Sequence, residues 1–148
     1  MRNVVMQKYF LLCLRILLAL VFLFAAIGKI SNPEEFAVAI TNYKMFPTFI
    51  INLIAIIVPW IELVIGLLML FGIAVKENAI IISTFLFCFI IIIAIALIRG
   101  LDIQCGCFST HEGQRIGITK ILENFIMLAF GIYLVLFYED NIFSKTSL

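Results

Sequence analysis

Cys105 and Cys107, one glycine apart in Cys105-Gly106-Cys107-Phe108, are the residues of this chain with the most chemistry open to them. Two thiols this close can close a small disulfide ring, hold a soft metal ion, or remain reduced neighbours. Gly106 lacks the Cβ that would resist the tight backbone of such a ring. Disulfide geometry accepts little deviation before strain makes the bond easier to reduce, so a disulfide here is expected to be reactive. His111 follows four residues after Cys107. With both cysteines it would form an incomplete tetrahedral set of soft ligands for copper or zinc.

A second set of residues stands out because its surroundings are oily. Of 148 residues 65% are hydrophobic and 13% charged, and the mean hydropathy is +1.24, far from the averages of soluble domains. The chain reads as an all-α integral membrane protein, one domain over 1–148. Its net charge of +1 gives no reason to expect nucleic acid as a partner. Within the apolar runs lie Arg15, Lys29, Glu62 and Asn124. A lone carboxylate at the depth of Glu62 costs about 2.5–3.5 kcal/mol on insertion scales, so it must be neutral, paired or turned to a polar cavity. Arg15, rising from one side, and Lys29, reaching from the other, are the cations available to it.

The elements that must position these groups are four spans, Tyr9–Gly28, Thr48–Val75, Ala79–Ile98 and Ile121–Tyr138; three are near the ~20 residues a bilayer core requires, and the second is longer, so tilt or a kink is expected in it. A cleaved signal peptide competes for the first, because Arg2 and Lys8 precede it and Ala25-Ala26 lies near its end. Its apolar run is overlong for that. Between spans one and two, Asn32-Pro33-Glu34-Glu35 has the form of a helix start, with a cap, proline at the first position and acids in the first turn. Phe36, Ile40 and Tyr43 then recur at helical spacing, which predicts a short amphipathic helix along the membrane surface. Pro59 marks a candidate kink in the second span, and Lys76-Glu77-Asn78 a turn into the third.

Four spans place both termini on one side, with the cysteine loop and the amphipathic segment together on the other. Lysine and arginine counts on the two sides do not decide the orientation. Cys88 lies about 15 Å below the loop's surface, and Cys13 lies near the opposite surface. Both read as small core hydrophobes rather than partners of the loop cysteines.

Taken in order, Arg15, Gly28-Lys29-Ile30, Pro33, Phe36, Tyr43, Pro47, Pro59, Glu62, Gly66, Cys105-Gly106-Cys107-Phe108 and Glu123-Asn124 resemble the MauE branch of the DoxX-like superfamily. The resemblance runs from the first span to the fourth. The chain departs from the family pattern at Ser109, where glycine is usual, and at Glu123, where a basic residue is common.

The resemblance implies a redox-associated, multi-pass protein of the bacterial inner membrane. It places the Cys105–Cys107 loop on the periplasmic side, where disulfides persist. It makes Cys105 and Cys107 the catalytic pair and a thioredoxin-like envelope protein the partner. By likeness to vitamin K epoxide reductase and DsbB bundles, it makes a membrane quinone the electron acceptor. Trp60, Phe108 and Phe125 are candidate lining for that quinone, and Arg99, His111 and Arg115 could lower a cysteine pKa. The family function implied is maturation of disulfide-rich envelope proteins, of the methylamine dehydrogenase type. Two other classes stay open: a metal-handling site on Cys105, Cys107 and His111, and a non-enzymatic assembly protein whose Arg15, Lys29 and Glu62 hold the bundle together.

Overall fold

The computed structural model describes residues 2–103 and 116–138 of the chain, and every regular element among them is an α-helix. In order these are α1 (Arg2–Ser31), α2 (Pro33–Asn42), α3 (Thr48–Phe71), α4 (Val75–Ile98) and α5 (Ile118–Phe137). Four of them, all but α2, are long and apolar enough to cross a membrane. The sequence explains their outer faces as well as their length. Phe24, Phe49, Phe71, Ile98 and Ile118 are each at least 70% exposed, which suits a lipid solvent and would be a liability in water. Helices are the elements that satisfy every backbone group internally in that solvent.

Two helix pairs form the bundle. α1 packs chiefly on α3 and α4 chiefly on α5, while the α1/α5 and α3/α4 seams are looser. A small residue sets the close approach in each tight pair. A Cβ on Gly66 of α3 would sit 2.9 Å from Leu23 Cγ and 3.3 Å from the Ala19 carbonyl of α1. One on Gly131 of α5 would sit 2.5 Å from Ser83 Oγ of α4. Close backbone approach at small residues is how helices associate without a hydrophobic drive between them. Leu11, Leu18, Met69, Ile82, Leu86 and Leu134 fill the centre.

The turn between α3 and α4 falls earlier than Lys76-Glu77-Asn78. Gly72 adopts a left-handed conformation (φ 77°). Its N–H bonds the Met69 carbonyl and the Ile73 N–H bonds the Leu68 carbonyl, the Schellman pattern that ends a helix. α4 therefore starts at Val75, and Asn78 becomes a buried helical residue whose amide donates to the Ile73 carbonyl at 2.9 Å. Gly100 closes α4 in the same way, with the Leu101 N–H on the Ala96 carbonyl.

α2 begins where its start signals place it, with Asn32 at the N-cap and Pro33 in the first turn. Its apolar face is covered by protein: Phe36 and Ile40 pack with Ile51 and Ala55 of α3. Tyr43, just past its end, packs with Ile93 and Ala96 of α4 and with Ile116.

Because Leu23 and the Ala19 carbonyl leave so little room, Gly66→Leu should separate α1 from α3 and destabilise the protein by about 1–3 kcal/mol. Thermal unfolding in detergent would register the loss, and an unchanged melting temperature would show that the pair does not depend on this contact.

Candidate functional site

Lys29 and Glu62 meet in the interior. Lys29 comes from the last turn of α1, and Glu62 from the buried stripe of α3 that also carries Ile51, Ala55, Pro59, Ile65 and Met69. The ammonium lies 2.8 Å from both carboxylate oxygens, and the two side chains are 1% and 2% exposed. The same ammonium stands 5.0 Å from the centroid of Phe36 on α2 and 5.4 Å from that of Phe89 on α4, distances at which a ring face attracts a cation. Of the two cations expected to compete for Glu62, the structure assigns it Lys29.

Arg15 is occupied at the other end of the bundle. Its guanidinium donates to the Tyr138 hydroxyl at 3.2 Å, and it passes so close to Gly72 that a Cβ there would lie 2.7 Å from Nη1. Asn124 is fully buried on α5, and its amide donates to the Lys120 carbonyl at 2.7 Å. Lys120 in turn pairs with Glu123 at 2.7 Å. With side chains 12% and 44% exposed, this second pair is only partly buried.

Cys105, Cys107, Phe108, His111 and Arg115 lie outside the described residues, but both stems of their loop are described. The Ile116 N–H donates to the Ile103 carbonyl at 2.8 Å, closing the loop at its base. Ile103 and Ile116 pack with Tyr43, Ile93, Phe89 and Ile92. Arg99 donates to the Tyr43 carbonyl at 3.2 Å, binding the end of α4 to the end of α2. The base of the cysteine loop and the amphipathic helix thus share one end of the bundle. Among the described residues no cluster of histidine, cysteine or acidic groups could hold a metal ion.

The loose α3/α4 seam opens at this end into a cavity of about 220 Å³, roofed by α2. Phe36 of α2, Tyr43 just past its end, Val58 of α3, and Phe85, Cys88 and Phe89 of α4 are among its walls, and the surface they present to it is apolar. Trp60 and Phe125 do not line this space; they are 55% and 51% exposed, one position off the buried faces of Pro59 and Asn124. One sequence expectation changes here. Cys13 and Cys88 are free thiols at exposed positions rather than core residues, because each lies between, not on, the buried rows of its helix. Phe89 is the site residue the sequence did not mark, because it is hidden in an unbroken apolar run; Tyr43 was marked by a helical repeat and by the family resemblance, but not as a cavity residue.

The family model described as methylamine utilisation protein MauE matches residues 7–137. The chain belongs to the MauE family. The curated MauE of Paracoccus denitrificans is 28% identical to it over 133 residues, covering 89% of this chain and 72% of that protein. The MauE of Methylophilus methylotrophus is 30% identical over 117 residues, covering 78% of this chain and 62% of the relative. No solved structure matches the chain. In this MauE-family protein, then, a buried ion pair joins α1 to α3, and Phe89, whose ring lies 5.4 Å from its ammonium, also packs in the cluster that holds the stems of a Cys-Gly-Cys loop.

Two outcomes follow from the geometry. Lys29→Met strands a buried carboxylate and should destabilise the protein by about 3–5 kcal/mol, whereas Lys29→Met with Glu62→Leu should recover most of that loss. A double-mutant cycle on detergent unfolding measures the difference, and an equal or larger loss in the double variant would contradict it. Burial pushes the Tyr43 phenol up to about 12 from its ordinary 10.0. The neutral form is the one the fold favours, so this contribution to stability is full below pH 10 and is lost as pH rises towards 12. Ultraviolet difference titration of Tyr43→Phe against the parent should remove a phenol that ionises near pH 12; removal of one ionising near 10 would show the ring is solvated.

Proposed function

We propose that this chain is a membrane thiol–disulfide redox protein of the bacterial cell envelope, folded as a single domain of the DoxX-like superfamily. Cys105 and Cys107 are its reactive pair. The observation that carries the reading is the Cys-Gly-Cys spacing in the one connection between α4 and α5, pinned at its base by the Ile116–Ile103 hydrogen bond.

The reaction is thiol–disulfide exchange. A reduced thioredoxin-like partner presents a thiolate that attacks one sulfur of the Cys105–Cys107 disulfide. The bond between the two cysteines breaks, a mixed disulfide forms, and the partner's second thiol displaces it. The partner leaves oxidised and the loop leaves as a dithiol. A lipid-soluble quinone then takes two electrons and two protons from Cys105 and Cys107, restoring the disulfide and becoming a quinol. In this reading the loop faces the periplasm, and the clients are disulfide-rich envelope proteins; the name of the relatives, methylamine utilisation protein, suggests a client of methylamine oxidation.

A structural role for the protein rests on a different observation, the Lys29–Glu62 pair that joins α1 to α3. The two readings part on the cysteines. In intact cells, a maleimide that does not cross membranes should label Cys105 and Cys107 only after mild reductant, and Cys105→Ser with Cys107→Ser should abolish client oxidation. Labelling without reductant, or full client oxidation by the double variant, would sink the redox reading and favour the assembly role.

A further inference from the structure

The cavity between α3 and α4 has the size, surface and position of a binding site for one ring. An apolar cavity of about 150 Å³ is enough to take up benzene, and this one measures about 220 Å³. Its surface is apolar and its aromatic walls, Phe36, Phe85 and Phe89, offer faces on which a planar ring stacks. It is partly open rather than sealed. Tyr43, Phe89 and Ile92 belong both to its wall and to the cluster that seats Ile103 and Ile116. The two described stems of the cysteine loop therefore pack on side chains that also line the cavity.

We propose that this cavity binds the head ring of a membrane quinone, placing the acceptor of the exchange reaction between α2, α3 and α4. The assignment rests on the thiol–disulfide reading for its purpose, but not for its test. Chemically the step is closed: the two thiols lose two electrons and two protons as the S–S bond forms, and the quinone gains both as its carbonyls become hydroxyls. The apolar wall also gives the direction of exchange. A quinone carries only acceptors and is at ease in hydrocarbon, whereas a quinol brings two hydroxyl donors that the wall leaves unpaired. One unpaired donor corresponds to roughly tenfold in affinity, so the reduced ring is the one released.

The chain contains its own reporter. Cys88 lies on the cavity wall, while Cys13, equally exposed and free, lies on α1 away from it. The full-length protein in nanodiscs is treated with a lipophilic maleimide, and modification of each cysteine is followed by peptide mass spectrometry with and without decylubiquinone. At ten times its Kd the quinone should slow Cys88 labelling about tenfold, saturably, and leave Cys13 unchanged. Val58→Phe and Ala39→Phe, which fill the cavity from α3 and from α2, should each remove the protection. Decylubiquinol should protect only at about tenfold higher concentration.

Equal slowing at both cysteines, or none at Cys88, would overturn the site. Protection by hexadecane at the same mole fraction would assign the cavity to a lipid chain and likewise overturn it. Equal protection by quinol would overturn the release step. Repeating the labelling with Cys105→Ser and Cys107→Ser separates the two proposals, because the ring should still bind where thiol exchange no longer runs.

Discussion

One ammonium group holds the arrangement together. Lys29 of α1 bonds both oxygens of Glu62 on α3 and lies against the rings of Phe36 on α2 and Phe89 on α4. Four of the five described helices therefore converge on a single side chain. In a hydrocarbon interior the hydrophobic effect does not choose one helix arrangement over another, because lipid is as apolar as the helix surface. A buried charge pair does choose, because either partner alone would be left without compensation. The register of α1 on α3 and the docking of α2 both follow from where this pair must close.

The same constraint shapes what surrounds the pair. The tight α1/α3 and α4/α5 contacts are built on Gly66 and Gly131, where backbones approach closely. At the looser α3/α4 seam, Phe85 and Phe89 of α4 and Phe36 of α2, which is laid across it, line the space between the helices. Rings meeting at an opening pack less completely than small residues in a groove. A cavity forms there, next to the ion pair and next to the stems of the cysteine loop. The opposite end is closed by different means, with Arg15 reaching Tyr138 past the Cβ-free surface of Gly72. One end of the bundle is thus tied by a polar clasp, and the other retains space.

Membership of the MauE family agrees with this asymmetry. The polar residues that carried the resemblance, Arg15, Lys29 and Glu62, prove to be the groups that fix the ends and middle of the bundle. The stems of the cysteine loop pack on side chains that also line the α3/α4 cavity.

Composition and run length alone determined that the chain is all-helical and membrane-spanning, since apolar stretches of this length admit no other regular structure in lipid. The start of α2 was equally legible, because Asn32, Pro33 and the following acids act within a single turn. Chemical candidates were visible too: Cys105 and Cys107 by spacing, and Glu62 by the cost of leaving it alone in hydrocarbon. Tertiary structure decided which cation answers Glu62, since Arg15 and Lys29 are equivalent in a linear reading and only packing brings one within 2.8 Å. It also decided that the α3/α4 turn falls at Gly72, where a left-handed glycine ends the helix before the charged residues that look like a turn. Phe89 and Tyr43 became site residues for the same reason. One apolar side chain in a long apolar run is indistinguishable from its neighbours until the helices meet and only one of them faces the charge.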